Sequence, residues 1–291
     1  MMRRATIAAV VVAVLLIAAK LAAWIATGSV ALLSTLVDSA LDLIASILNL
    51  VAVSQALTPA DNEHRFGHGK AEPLAGLGQS AFIAGSALFV IGEAAKHLFD
   101  VQPVENSMIG IAVMVLSLVL TFSLVTFQRL VVRKTGSLAV RADATHYLGD
   151  FLMSGAVIIA LFVQRALGWA ILDPLLAIAI ALSLIWSAWR ISKQSLDLLM
   201  DRELPDDDRQ KIVALAQSHP QVRNVHDLRT RSAGHDAFIQ FHLELDPAIT
   251  LAQAHVISDA VEETIRAAFP SAEVIIHQDP AGVVEERPEF A

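Results

Sequence analysis

Asp38 and Asp42 stand four residues apart inside GSVALLSTLVDSALDLIASILNLVAV, and His146 and Asp150 stand four apart inside ATHYLGDFLMSGAVIIALFV. That spacing puts each pair on one face of a helix. An acidic side chain at the centre of a spanning helix costs about 2.5–3.5 kcal/mol on insertion scales, so ionisable residues inside apolar stretches mark ion paths and sites. Three carboxylates and one imidazole also make a full tetrahedral ligand set for a divalent transition metal. The chemistry these four residues point to is the binding and movement of a metal cation or a proton. The plain alternative is a structural hydrogen-bonded cluster, which accounts poorly for two matched pairs.

Two further groups have ligand chemistry. Asp61, His64 and His68 lie in the polar segment DNEHRFGHGKAE and could share one cation, although two histidines in such a loop can equally be solvated. Nearer the C-terminus, His226, His242, His255, His277 and Asp279 fall on several elements of an acidic segment and could cluster at one edge, or could be ordinary surface histidines. His219 and His235 read as loop residues without a case for ligation.

The elements that must position these groups follow from the pattern of apolar residues. Six stretches, at about 5–27, 31–57, 74–99, 107–131, 143–165 and 170–192, are long enough to cross a hydrocarbon layer of roughly 30 Å. The apolar start of the chain runs on through Lys20 to Trp24 without a small-residue cleavage site, so it reads as a retained first helix rather than a leader. Arg3, Arg4, Arg65, Lys70, Arg129, Arg133, Lys134, Arg141, Arg190 and Lys193 gather at one side of the six spans. The 1–2 and 3–4 links carry no Lys or Arg, and the 5–6 link has only Arg165. By the positive-inside bias both termini are cytoplasmic. Trp24 and Trp169 fall near the outer interface and Trp186 and Trp189 near the inner one, as an aromatic belt or as packing residues.

From about Glu203 the pattern changes. PDDDRQKIVALAQSHP reads as a capped helix with aspartates in its first turn. VHDLRTRSAG and DAFIQFHLELD read as two strands around a turn. TLAQAHVISDAVEETIRAAFP reads as a second helix and SAEVIIHQD as a third strand. The fold class is therefore a membrane all-α six-helix domain (1–202) followed by an α+β domain of order α-β-β-α-β (203–291), a two-layer sandwich.

Composition agrees. Of 291 residues 55% are hydrophobic, above the roughly 45–50% of a soluble domain, and the formal charge is −8. From Pro205 onward there are 7 Lys+Arg against 15 Asp+Glu, which leaves the first 204 residues at 14 against 14. A neutral membrane part thus precedes an acidic, histidine-rich part, which argues against nucleic acid as a partner. The absence of cysteine excludes disulfides and thiolate sites, so any metal must use His, Asp, Glu or backbone oxygen.

These motifs resemble the cation diffusion facilitator family, and within it the bacterial zinc exporters. The resemblance spans TGSVALLSTLVDSALDL, PADNEHRFGHGKAE, FQRLVVRKTGSLAVRADATHY, LPDDDRQ, HDLRTR, FIQFHLEL, QAHVISD and VIIHQDP, nearly the whole chain. It implies a homodimer in the bacterial inner membrane, and a cytoplasmic domain similar to copper metallochaperones. It assigns Asp38, Asp42, His146 and Asp150 to a transport site and Asp61, His64 and His68 to a loop site. It assigns His226, His242, His255, His277 and Asp279 to a binuclear cytoplasmic zinc site, with Asp279 bridging and Gln278 a candidate minor contributor. It also implies that Lys70 pairs with Asp201 and locks the dimer. Manganese members carry Asp in place of the fifth-helix histidine, so His146 argues for Zn2+, with Cd2+ and Fe2+ close in chemistry. The expected activity is proton-coupled metal efflux by alternating access, not enzymatic catalysis. Two other classes, a membrane metalloenzyme and a zinc-sensing scaffold, are separable from it by a hydrolysis screen and by flux measurement. No H-E-x-x-H motif supports the first.

Overall fold

The computed structural model describes residues 1–27, 30–97, 108–167, 171–234 and 236–283. Trp169, His235, the whole 3–4 link and everything from residue 284 lie outside them, as do two residues of the 1–2 link and the side chains of Ser34 and Arg165.

Six long helices come first: α1 (Met2–Thr27), α2 (Val30–Ala56), α3 (Ala71–His97), α4 (Met108–Thr135), α5 (Leu138–Leu167) and α6 (Leu172–Leu199). Among the described residues, all but α5 are long and apolar enough to cross a bilayer. The helix without that property is the one carrying Arg141, Asp143, His146 and Asp150. Several helices run past the apolar spans read from the sequence: α4 ends at Thr135, α5 begins at Leu138 and α6 ends at Leu199. Backbone hydrogen bonding continues where apolarity stops, because polar side chains at helix ends reach the interface.

Small residues decide how closely these helices meet. Ala5, Ala9 and Ala13 of α1, four apart, are at most 1% exposed. Ala9 shares a core with Leu124 and Val125 of α4 and Tyr147 of α5. Gly149 of α5 lets α6 come close: a Cβ there would stand 2.8 Å from a Leu184 methyl. Gly155 faces open space.

The start of α5 is fixed by three partners. Gly136 takes φ +67°, a conformation that favours glycine, and breaks the α4 path. The Ser137 hydroxyl then accepts the Val140 N–H at 3.2 Å. Buried Glu72, in the first turn of α3, accepts the Leu138 N–H at 2.7 Å and the Ala139 N–H at 3.4 Å. A carboxylate satisfying unpaired N–H groups at a helix start also complements the helix dipole.

The C-terminal part is α7 (Asp206–Gln217), β1 (Asn224–Ala233), β2 (Asp236–Leu245), α8 (Leu251–Ala268) and β3 (Ala272–Pro280), in the expected order. Its sheet runs β1-β2-β3, antiparallel between β1 and β2 and parallel between β2 and β3. Thr250 and Gln253 form a capping box at α8. The sequence suggested a capped α7 as well, but Pro205 stands at its N-cap without a side-chain cap, and Asp206, Asp207 and Asp208 fill the first turn. One face of β2 (Ile239, Phe241, Leu243, Leu245) forms a core with Ile212 of α7, Ile257, Val261 and Ile265 of α8 and Val274 of β3. Alternation along a strand sends His242 and Glu244 to the opposite face.

Candidate metal centres

The helical period brings three of the four intramembrane candidates together. Ligand atoms of Asp42, His146 and Asp150 lie within 4.8 Å of one another. His146 Nε2 stands 2.9 Å from Asp42 Oδ1 and 3.8 Å from Asp150 Oδ2. Asp38, one turn earlier on α2, is exposed and outside this group. Side-chain contacts join α2 to α5 around the triad. Ser46 and Tyr147 share a hydroxyl hydrogen bond at 2.8 Å, and Asn49 Nδ2 donates to the Ala139 carbonyl at 3.4 Å. These helix-ligand groups converge in the manner of bundle metal sites, where facing helices each contribute residues.

In the loop between α2 and α3, Asp61 Oδ1 accepts the backbone N–H of His64 at 2.6 Å and of Glu63 at 2.9 Å. This turn sets His64 Nδ1 3.4 Å and His68 Nε2 3.5 Å from the Asp61 carboxylate. The His64 N–H, then the Glu63 N–H and the nearby histidine charges, hold the Asp61 carboxyl below the usual carboxylate range despite some desolvation. All three residues form one potential metal group, as the sequence suggested. Among the described residues His68 Nδ1 is buried without a hydrogen-bond partner. The loop rests on the tip of the β1–β2 hairpin, where Gly69 lies so close to the Ala233 backbone that a Cβ would collide. There Arg231 lies over the rings of Phe66 and Phe238, at 4.8 and 4.5 Å. Lys70 Nζ meets Asp201 Oδ1 at 3.0 Å, the pair implied by the resemblance, and Arg231 joins at 3.4 Å. Burial opposes the ionised Asp201, but the Lys70 hydrogen bond and the charges of Lys70 and Arg231 outweigh it and keep its pKa below the ordinary value.

The third centre is built by strand register. His226 faces His242 across β1 and β2, and His242 faces His277 across β2 and β3. Asp279, two residues beyond His277, is 7% exposed. Its Oδ2 lies 2.8 Å from His242 Nδ1 and 3.2 Å from His226 Nε2, while Oδ1 lies 3.1 Å from His277 Nε2. One carboxylate with a histidine on each oxygen suits a bridging ligand between two ions. His255 is not brought to this row: it is exposed on α8 and faces Asp259 at 3.5 Å. Gln278 points to the helix layer and donates to Ser258 at 2.8 Å.

Sequence reasoning passed over two carboxylates of this centre. Glu244 Oε1 lies 2.9 Å from His226 Nδ1, and Asp227 Oδ2 lies 3.6 Å from His242 Nε2. Asp227 occupies a bulge between His226 and Arg229 with φ +48° and is paired with Arg229 at 3.1 Å. The alternation of HLEL placed Glu244 on the face of His242 and was the available signal; the bulge had none. Asp227, Arg229, His242 and His277 help line a cavity of about 240 Å³ beside the row.

A triad of potential metal ligands between two long helices and a further such group on a small α+β unit point to a metal-transport protein. The chain belongs to the cation efflux family: residues 6–200 match the cation efflux transmembrane domain and 204–281 the cation efflux protein cytoplasmic domain. It is 50% identical to the cation-efflux pump FieF of Cronobacter sakazakii over 97% of this chain and 93% of that one. It is 48% identical to that of Serratia proteamaculans over 98% and 95%. A solved metal-bound C-terminal domain of the CzcD transporter from Thermotoga maritima is 30% identical over 27% of this chain and 93% of that chain, with a TM-score of 0.26. The relatives are efflux pumps, not enzymes, and this chain is a membrane metal transporter whose family supports divalent cation efflux.

Proposed function

We propose that this protein exports Zn2+, and by similar ligand chemistry Cd2+ and Fe2+, from the cytoplasm in exchange for protons. The observation that carries the reading is the convergence of Asp42, His146 and Asp150 between α2 and α5. Asp38, one turn away, is assigned as the fourth ligand. Metal binding needs deprotonated carboxylates and a neutral imidazole lone pair. His146 Nε2 and Asp42 Oδ1 share a hydrogen bond at 2.9 Å. A cation bound there takes both atoms, so it displaces the extra proton of an imidazolium His146 and leaves a neutral ring protonated on Nδ1; a proton arriving from the outer side restores the bond and releases the ion. Alternating exposure of the site makes that competition a coupled exchange.

In this reading residues 1–202 span the bacterial inner membrane with both termini cytoplasmic, and residues 203–291 form the cytoplasmic part of a homodimer. His226, His242, His277 and Asp279 hold structural zinc there: imidazole and carboxylate are zinc ligands, and Glu244 supplies the outer partner that orients a metal-bound imidazole. The Asp61, His64 and His68 loop is a third zinc site. Proteoliposomes containing a zinc-sensitive dye, under an imposed pH gradient, test the central claim. Gradient-dependent zinc uptake that Asp42→Ala abolishes is the expected result. Zinc binding by the cytoplasmic part without flux would replace transport by a sensing scaffold.

A further inference from the structure

Lys20 is the one charged residue of α1 after Arg3 and Arg4, and it lies deep in an apolar helix. A lysine in such a place commonly extends toward the headgroups. This one turns inward: Nζ donates to Ser39 Oγ at 2.6 Å and to the Thr35 carbonyl at 3.1 Å, both on α2 and bracketing Asp38. The carboxylates whose charge acts on it are Asp42, Asp150 and Asp38, from α2 and α5. Among the described residues it makes no ion pair within 4.0 Å. The ammonium is thus held by neutral oxygens within the field of the transport site, and it leaves the ligand atoms open.

We propose that Lys20 is a specificity-determining residue that sets the charge of the transport site to suit a divalent ion. The inference rests on the transport reading above. Three ionised aspartates and a neutral His146 carry −3, and the ammonium brings the group to −2. A divalent cation then closes the charge to zero in a region where uncompensated charge is strongly unfavourable. Without Lys20 the loaded site keeps a negative charge, holds a divalent ion too tightly for release and favours a trivalent one. The other buried carboxylate of α5, Asp143, does not enter this count. It accepts a 2.6 Å hydrogen bond from Gln128 of α4 and is the same in the unaltered protein and in any Lys20 variant, so the difference of one charge between them does not depend on it.

The test is zinc flux into proteoliposomes by the full-length protein, with terbium(III) as a trivalent competitor. In Lys20→Met the half-saturating zinc concentration and the maximal rate should each fall by at least about tenfold, and the terbium inhibition constant should fall by more than the zinc constant, because a trivalent ion feels the removed charge about half as strongly again as a divalent one. Lys20→Arg keeps the charge and should behave as the unaltered protein. Ser39→Ala loosens the tether and should shift zinc and terbium values in the same direction by less. A Lys20→Met protein with unchanged zinc and terbium constants overturns the proposal, as does an equal shift in Lys20→Arg. If Lys20→Met is not recovered folded, Ser39→Ala decides: unchanged constants there overturn it. Absence of zinc flux in the unaltered protein overturns the transport reading itself, which separates the two failures.

Discussion

In the sheet, His226, His242 and His277 stand opposite one another on three strands joined by backbone hydrogen bonds. In the membrane, Asp42 and His146 meet across two helices that no backbone–backbone bond joins among the described residues. A ladder fixes the spacing of its facing side chains at about 4.5–5.5 Å, and changing it means breaking the ladder. Two helices in side-chain contact can shift against each other while every helical hydrogen bond survives. The same ligand types therefore sit in a frame that holds geometry and in a frame that permits change. In the function proposed above, that difference suits a centre that keeps its ions and one that must let them go.

The comparison breaks first at the membrane triad. Asp42→Ala should lower zinc flux by more than about 100-fold, beyond the roughly 10–100-fold typical of losing a mere outer-layer partner. Zinc binding by the cytoplasmic row, measured by titration of the same protein, should be unchanged. His242→Ala removes the middle of that row and both of its register partners' neighbour; it should weaken cytoplasmic zinc by at least about tenfold while flux falls less. Equal loss of flux in both variants would erase the distinction between the centres. Glu72→Ala tests whether α5 needs its fixed start: it leaves the Leu138 N–H buried without a partner and should destabilise by about 1–3 kcal/mol, read as a lower thermal midpoint in detergent.

The smallest effect is expected at Lys70–Asp201, whose side chains are 39% and 43% exposed, so solvent screening limits it to about 0.5–1 kcal/mol. The folded-state pKa of Asp201 is depressed, so the contribution is present above the unfolded value near 4 and is lost as pH falls through the folded one. The stability difference between the unaltered protein and Lys70→Ala should accordingly shrink toward zero on acidification below about pH 4. A difference that grows there would contradict the ion pair.

Much of this was readable from residues alone because helices and strands have short periods. The i, i+4 spacing of Asp42 from Asp38 and of Asp150 from His146 announced two helix faces, and the alternation in FIQFHLEL announced the face of His242 and Glu244. Asp38 shares the face of Asp42 but stands one turn, about 6 Å, away along α2; how neighbouring helices are offset along their axes is set by packing, which is why Asp38 is exposed while Asp42 is in the triad. The placement of His255 depended on how α8 lies over the sheet, and it fell on the outer side. Asp227 depended on a bulge with no sequence signature. Lys20 read as an interruption of an apolar run; its partners lie 15 and 19 residues away on the next helix.

The attachment of the α5 N-terminus to Glu72 has a mechanical consequence. With Leu138 pinned to α3, that end of the helix is a fulcrum and the remainder is a lever arm. At 1.5 Å per residue His146 stands about 12 Å along the arm and Asp150 about 18 Å. A swing of about 5° carries His146 roughly 1 Å along its arc, enough to take its 2.9 Å contact with Asp42 beyond hydrogen-bonding range. Asp150, farther out, travels half as far again for the same angle.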